Sequence, residues 1–186
     1  MRKVNCTSSV ISCLIIIMTI STISCGDGDG SFYGEASTTV QINSFGVYGN
    51  EPPINGRTQI VAEIDNGSFQ IVLNIDPIWA HRASILVSDR EDLAATNLEQ
   101  EVAYIECRYY PFCDFHISLN CNYSLSNQIS CQVGWLGSGP ITAILPQADI
   151  SLLLSGNQAN LYVVLIGSAQ GARSVQRSVP VTFRHN

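Results

Sequence analysis

The chain of 186 residues is predicted to fold as an all-β protein, an antiparallel two-sheet sandwich preceded by a removable leader. Three observations carry this. Beyond residue 37 the sequence breaks into short Val/Ile/Leu/Tyr runs punctuated by Gly, Asn, Pro and Ser. No segment there keeps a 3.6-residue apolar period over ten residues. The runs recur at hairpin spacing, which favours packed antiparallel sheets over alternating strands and helices.

Nine strands are expected, in order: Thr39–Tyr48, Thr58–Ile64, Ser68–Ile75, Ala83–Ser88, Glu101–Arg108, Phe115–Leu125, Ile129–Trp135, Leu161–Ser168 and Ser174–Arg184. Ile60, Ala62 and Ile64 alternate with polar or outward positions, as do Phe69, Ile71 and Leu73. The intervening Asp65-Asn66-Gly67-Ser68 reads as a tight hairpin turn. Ser126-Asn127 and Gln170-Gly171-Ala172 read as two further turns. In the last strand Val179, Val181 and Phe183 share a face, and Pro180 between them predicts an edge position or a bulge. Ala148–Leu154 is expected to form a helical turn or two, stopped by Gly156.

The leader has a basic start (Arg2, Lys3) and an apolar stretch from Val10 to Ile23, followed by Cys25 and a Gly/Asp tract. At about 1.5 Å per helical residue that stretch reaches roughly 21 Å, short of a hydrocarbon core of about 30 Å. It therefore reads as a cleaved secretory signal rather than a permanent span. The usual Ala-containing cleavage site is missing, since the first alanine is Ala36.

Ser24-Cys25 resembles the end of the lipobox of bacterial lipoproteins, with Thr22 in place of the usual Leu. Cys6 and Cys13 lack a full apolar region upstream. The resemblance implies cleavage before Cys25, a diacylglycerol thioether on its sulfur and a third acyl chain on its new amino group. Several acyl chains hold a protein on a membrane where one would not. Gly26 after the cysteine implies residence at the outer membrane. The expected organisation is a signal peptide over 1–24, a lipidated tether over 25–37 and a β-sandwich domain over 38–186. The four-cysteine stretch Cys107–Cys131, the strand Leu161–Ser168 and the closing Val179-Pro180-Val181-Thr182-Phe183 resemble small gammaproteobacterial lipoproteins with an immunoglobulin-like domain. That resemblance implies an immunoglobulin-like sandwich of seven to nine strands and no particular activity.

With Cys6 and Cys13 in the leader and Cys25 lipidated, Cys107, Cys113, Cys121 and Cys131 remain. An exported protein matures where disulfides persist. Three connectivities exist. Cys107–Cys113 with Cys121–Cys131 is preferred, because the second pair is symmetric about Ser126 and the first closes a short loop. A zinc site is the rival, but Cys-x-x-Cys is missing and His116 has no partner His nearby.

The mature chain would keep seven arginines against 15 acids and no lysine, a net charge of −8. That balance argues against nucleic acid and against adsorption on anionic lipid; contact with the membrane is expected through the lipid alone.

No catalytic constellation emerges. His81, His116 and His185 are scattered, Gly137-Ser138-Gly139 lacks the nucleophile-elbow spacing, and no cofactor is implied. Asp89, Glu91 and Asp92 share a loop, with Glu99 and Glu101 beginning the next strand. They read as a solvated acidic surface, with a glycosidase pair or calcium as the sharper alternative. Tyr104, Tyr109, Tyr110, Phe112, Phe115 and Tyr123 cluster around the cysteines. Arg108, Tyr109, Tyr110 and Phe112 form the expected binding surface, since rigid aromatics bind with little ordering cost. The sequence thus points to a lipid-anchored envelope protein without catalytic activity: a binding, adhesion or assembly module for a protein or glycan partner. A carboxylate-based hydrolase of envelope polysaccharide and a purely structural lipoprotein are the competing readings.

Overall fold

A computed structural model describes residues 40–62, 67–76, 82–93, 99–107, 113–156, 158–169 and 174–185. All of them fall in one compact unit, Glu35–Asn186. The strands are β1 (Gln41–Tyr48), β2 (Glu51–Ile54), β3 (Arg57–Ala62), β4 (Gly67–Asp76), β5 (Arg82–Ser88), β6 (Glu99–Cys107), β7 (Phe115–Tyr123), β8 (Gln128–Trp135), β9 (Ile141–Ile144), β10 (Ala148–Asp149), β11 (Gln158–Ser168) and β12 (Val175–His185). They form a five-stranded sheet in the order β1-β4-β7-β8-β10 and a seven-stranded sheet in the order β2-β3-β12-β11-β5-β6-β9. The expected sandwich is present.

The two inner faces interdigitate. On β4, Phe69, Ile71, Leu73 and Ile75 are buried, and on β7 Phe115, Ile117, Leu119, Cys121 and Tyr123 are buried, each alternating with more exposed neighbours. This period of two is what a sheet with one wet face requires. From the opposite sheet Phe183 meets Phe69 edge-on at 6.1 Å and Tyr123 at 5.0 Å between ring centroids. Fully burying a side chain of this size contributes about 1.5–3 kcal/mol. The centre of the seven-stranded sheet is covered on both faces, since Val163, Val164 and Leu165 of β11 are all buried.

An immunoglobulin variable-type layout puts strands ABED in one sheet and C′CFG in the other. Here β6-β5-β11-β12 matches C′CFG, with β3 added parallel to β12. The second sheet differs in two respects: β8, beside β7, follows it in the chain instead of preceding it, and β10 is added at the edge.

Four expectations are corrected. There are twelve strands among the described residues rather than seven to nine. The additions β2, β9 and β10 are two to four residues long, too short to show a period. β3 and β4 are not a hairpin, because β3 pairs with β2 and β12 while β4 pairs with β1 and β7. The chain changes sheets there, and the backbones pass closely. A Cβ on Gly67 would lie 2.3 Å from the Tyr123 carbonyl oxygen and 2.8 Å from that of Val61.

The third is partial: the helical turn expected within Ala148–Leu154 is present but confined to Ser151–Leu153. A two-residue bridge to Ile129 and Gln128 precedes this 3₁₀ turn. The Asp149 carboxylate accepts both the backbone N–H and the hydroxyl of Ser151, at 2.9 and 2.6 Å. Fourth, β12 lies inside its sheet, but its pairing with β3 starts at Val181. Pro180 therefore sits where one flank is still open, which is how a residue without an N–H is accommodated.

The turn at Ser126-Asn127 holds as expected, whereas Gln170-Gly171-Ala172 lies outside the described residues. β7 and β8 are joined across Ser124–Gln128, with Asn127 at a φ of 61°. β11 and β12 pair antiparallel from Gln158↔Arg184 to Gly167↔Val175. A further tight turn, Asn55-Gly56, joins β2 to β3 with both φ angles positive, 51° and 74°, as a type I′ hairpin demands.

Candidate functional site

Both preferred disulfides form: Cys107–Cys113 and Cys121–Cys131. The first joins the end of β6 to the start of β7, where the chain passes from one sheet to the other. The second links residues directly opposite in the β7–β8 ladder. Arg108, Tyr109, Tyr110 and Phe112, the surface expected from sequence, lie outside the described residues, as do His81 and the lipidation candidate Cys25.

The remaining members of the aromatic group do not form a shared surface. Phe115 and Tyr123 are core residues. Tyr104 is half-buried, with the Arg82 guanidinium 5.1 Å from its ring centroid. Burial pushes the Tyr123 phenol up to about 12. Its hydroxyl donates to Asn127 Oδ1 at 3.1 Å and hydrogen-bonds His185 Nε2 at 3.0 Å.

The acidic loop packs onto β12. The Glu91 carboxylate accepts the Ser178 hydroxyl at 3.2 Å, and its carbonyl accepts Gln176 Nε2 at 2.6 Å. Glu99 and Glu101 stand exposed on one strand, beside Ser88 and Leu86. Among the described residues no three His, Cys, Asp or Glu side chains converge as a metal site.

The outer face of the five-stranded sheet has a different character. The residues that alternate with the core ones present Ser68, Gln70, Val72 and Asn74 from β4, Ser118, Asn120 and Asn122 from β7, and Ser130 and Gln132 from β8. Gln70 Nε2 donates to Ser118 Oγ at 3.0 Å and to Asn120 Oδ1 at 3.4 Å. Cross-strand bonds of this kind hold amides in fixed orientations while leaving further donors and acceptors open. Acids stand at the margins of this block: Asp76 ends β4, Asp114 sits just before β7, and Asp149 lies on the edge strand β10. A hydrogen-bonded Asp149 carboxyl stays below the usual carboxylate range, because the Ser151 hydroxyl and N–H stabilise its anion.

Aromatic rings flank the block. On β8, a bulge between Val133 and Trp135 turns Trp135 onto this face opposite Ser118. Gly134 makes the bulge fit: a Cβ there would come 2.9 Å from Asn120 Nδ2. Trp135 remains 48% exposed while His116 braces it at 5.0 Å in a T-shaped contact. On the other side Tyr48 is 61% exposed, and its ring lies across the backbone of Gly46. From β1 to β8 the face is three strand spacings wide, about 14 Å.

The sequence reading passed over this face. Its signal was present in Phe115-His-Ile-Ser-Leu-Asn-Cys-Asn-Tyr123, whose polar half is built from neutral amides, a hydroxyl and a histidine. Pattern alone assigns such residues to solvent, and only strand order brings them beside Gln70 and Trp135.

The chain matches no protein-family model, and neither the curated proteins nor the solved structures contain a match to it.

Proposed function

We propose that this protein is a lipid-anchored, non-catalytic binding module of the bacterial cell envelope, and that it engages a neutral glycan on the outer face of its five-stranded sheet. The observation that carries the reading is the block of cross-bonded amides and hydroxyls between Trp135 and Tyr48. A sugar offers hydroxyls that both donate and accept, together with apolar C–H faces. Amides satisfy the first and exposed indole and phenol rings cover the second. Formal charge inside the block would cost desolvation without a partner on a neutral ligand. The anchor follows from the leader: an apolar stretch too short to span, closing on Ser24-Cys25-Gly26. It holds the sandwich at the outer membrane through Cys25, close to envelope polysaccharide.

The hydrolase reading has less support. A glycosidase needs two carboxyl groups about 5 to 9.5 Å apart facing each other across the substrate. Glu99 and Glu101 instead share one strand, and Glu91 is engaged by Ser178.

Affinity electrophoresis of the full chain in detergent, against gels containing neutral polysaccharides, tests the binding. Wild type is expected to be retarded, and Trp135→Ala to lose at least ten-fold in affinity at unchanged fold. Equal retardation of the two proteins, or none for wild type on any neutral polysaccharide, would refute it. Changing Cys25 to Ser is expected to move the protein out of the detergent phase; unchanged partitioning would refute the anchor.

A further inference from the structure

On the other side of the sandwich, the outer face of the seven-stranded sheet bears a cavity of about 220 Å³. Ile54 and Asn55 of the β2–β3 hairpin form one wall, Gln158 and Asn160 of β11 another, and Arg57 with Arg184 brings two guanidinium groups into it. None of the described lining residues is an acid, in a chain with 15 acids and only nine basic residues. Two like charges in one cavity repel each other, and they are stable together only where something offsets them.

The first guanidinium is held rigidly. Arg57 Nη2 donates to the backbone carbonyls of Leu161 and Val181 at 2.6 and 2.9 Å, and the group lies 5.2 Å from the Tyr162 ring centroid. For Arg184 the described residues provide no hydrogen bond or ion pair to the side chain. The Nε atoms of both arginines are shut away from solvent without a partner, while both residues stay half-buried. The neighbours are pre-set as well. Thr182 Oγ1 donates to Asn160 Oδ1 at 2.9 Å, leaving the Asn160 amide N–H groups as donors. Gln59 Nε2 donates to the Arg57 carbonyl at 3.0 Å, leaving its oxygen as an acceptor.

We propose that this cavity binds a single acidic sugar residue, with its carboxylate held by Arg57 and Arg184 and its hydroxyls by Asn160 and Gln59. With Arg57 Nη2 already engaged by two carbonyls, Arg57 has Nη1 to offer a carboxylate, and the two-bond arrangement falls to the Nη1 and Nη2 groups of Arg184. The volume falls below the roughly 300–1,000 Å³ of sites that enclose drug-sized ligands, which limits the occupant to about one ring. The amides next to the arginines ask for hydroxyls rather than a bare anion. The site is independent of the neutral face, since it lies on the opposite sheet and shares no residue with it.

Isothermal titration of the full chain in detergent with glucuronate, glucose and inorganic phosphate tests this. Glucuronate is expected to bind at least ten-fold more tightly than either of the others. Arg184→Gln, which loses no described hydrogen bond, is expected to reduce that binding at least ten-fold, with thermal stability close to wild type. Asn160→Ala is expected to narrow the preference for glucuronate over phosphate. Trp135→Ala is expected to leave glucuronate binding intact, whatever it does to neutral polysaccharide. Phosphate binding as tight as glucuronate would overturn the sugar assignment. Glucuronate binding that survives Arg184→Gln, or is missing in wild type, would overturn the site.

Discussion

The two sheets share one core and present opposite chemistry to the outside. The five-stranded sheet is antiparallel throughout, is cross-linked by Cys121–Cys131 within its own ladder, and shows a neutral amide face between two rings. The seven-stranded sheet includes the parallel pair β3–β12 and carries charge of both signs, with Glu51 exposed on β2 and Arg82 opposite Glu106. Arg57 and Arg184 gather near the β2–β3 end, and Glu99, Glu101 and Glu106 stand on β6 toward the other. Inner faces are constrained by packing, so both sheets look alike there. Outer faces are free of that constraint, and their divergence is where recognition is expected.

The two sheets depend on each other most strongly through their shared core. Phe183→Ala removes the ring that both Phe69 and Tyr123 contact, and is expected to cost about 3–5 kcal/mol. Denaturant unfolding followed by far-UV circular dichroism and by tryptophan fluorescence should give one shared, shifted transition. Separate midpoints would mean that the sheets unfold independently.

Next come the disulfides. Replacing Cys121 and Cys131 with serine should cost about 2–3 kcal/mol, with a similar or slightly smaller loss for Cys107 and Cys113, whose loop is shorter. Urea midpoints of the two double variants measure this. The two losses test whether the bond inside one sheet matters as much as the bond at the crossover.

A smaller effect is expected from Tyr123→Phe, about 1 kcal/mol at neutral pH from two lost hydrogen bonds. Its pH dependence is more specific. The Tyr123 phenol titrates at about 12 in the fold against 10 when unfolded. Its contribution is therefore complete below pH 10 and is lost as pH rises from 10 through about 12. The variant should lose that part of the alkaline decline, and an identical alkaline profile would show that another group is responsible. Smallest of all for stability is Trp135→Ala, expected within about 0.5 kcal/mol because the residue is half-exposed on the outer face. Thermal melts check it, and a large loss would mean that the indole is structural.

Much of the sandwich could be read in advance from β4 and β7, whose strict alternation reflects burial on one face only. The disulfide pairing was equally accessible, because Cys121 and Cys131 sit symmetrically about a turn. The strand β2 was harder: four exposed residues, two of them proline, carry no period, although Asn55-Gly56 beside them was a usable turn signal. The turn at Asp65-Asn66-Gly67 misled for a related reason. Turn residues report a reversal of direction and say nothing about which sheet receives the next strand.

That the chain makes β-strands and which side of most strands is buried follow from the sequence, and the sequence favours one cysteine pairing of three, because each depends on residues near one another along the chain. Tertiary structure alone decided that β3 leaves β4 for β12, that Gln70 lies beside Ser118 and Asn120, and that Arg57 meets Arg184 across 127 positions of sequence. Those juxtapositions depend on strand order, which is set by the packing of two inner faces against each other and leaves no local trace at the residues it unites.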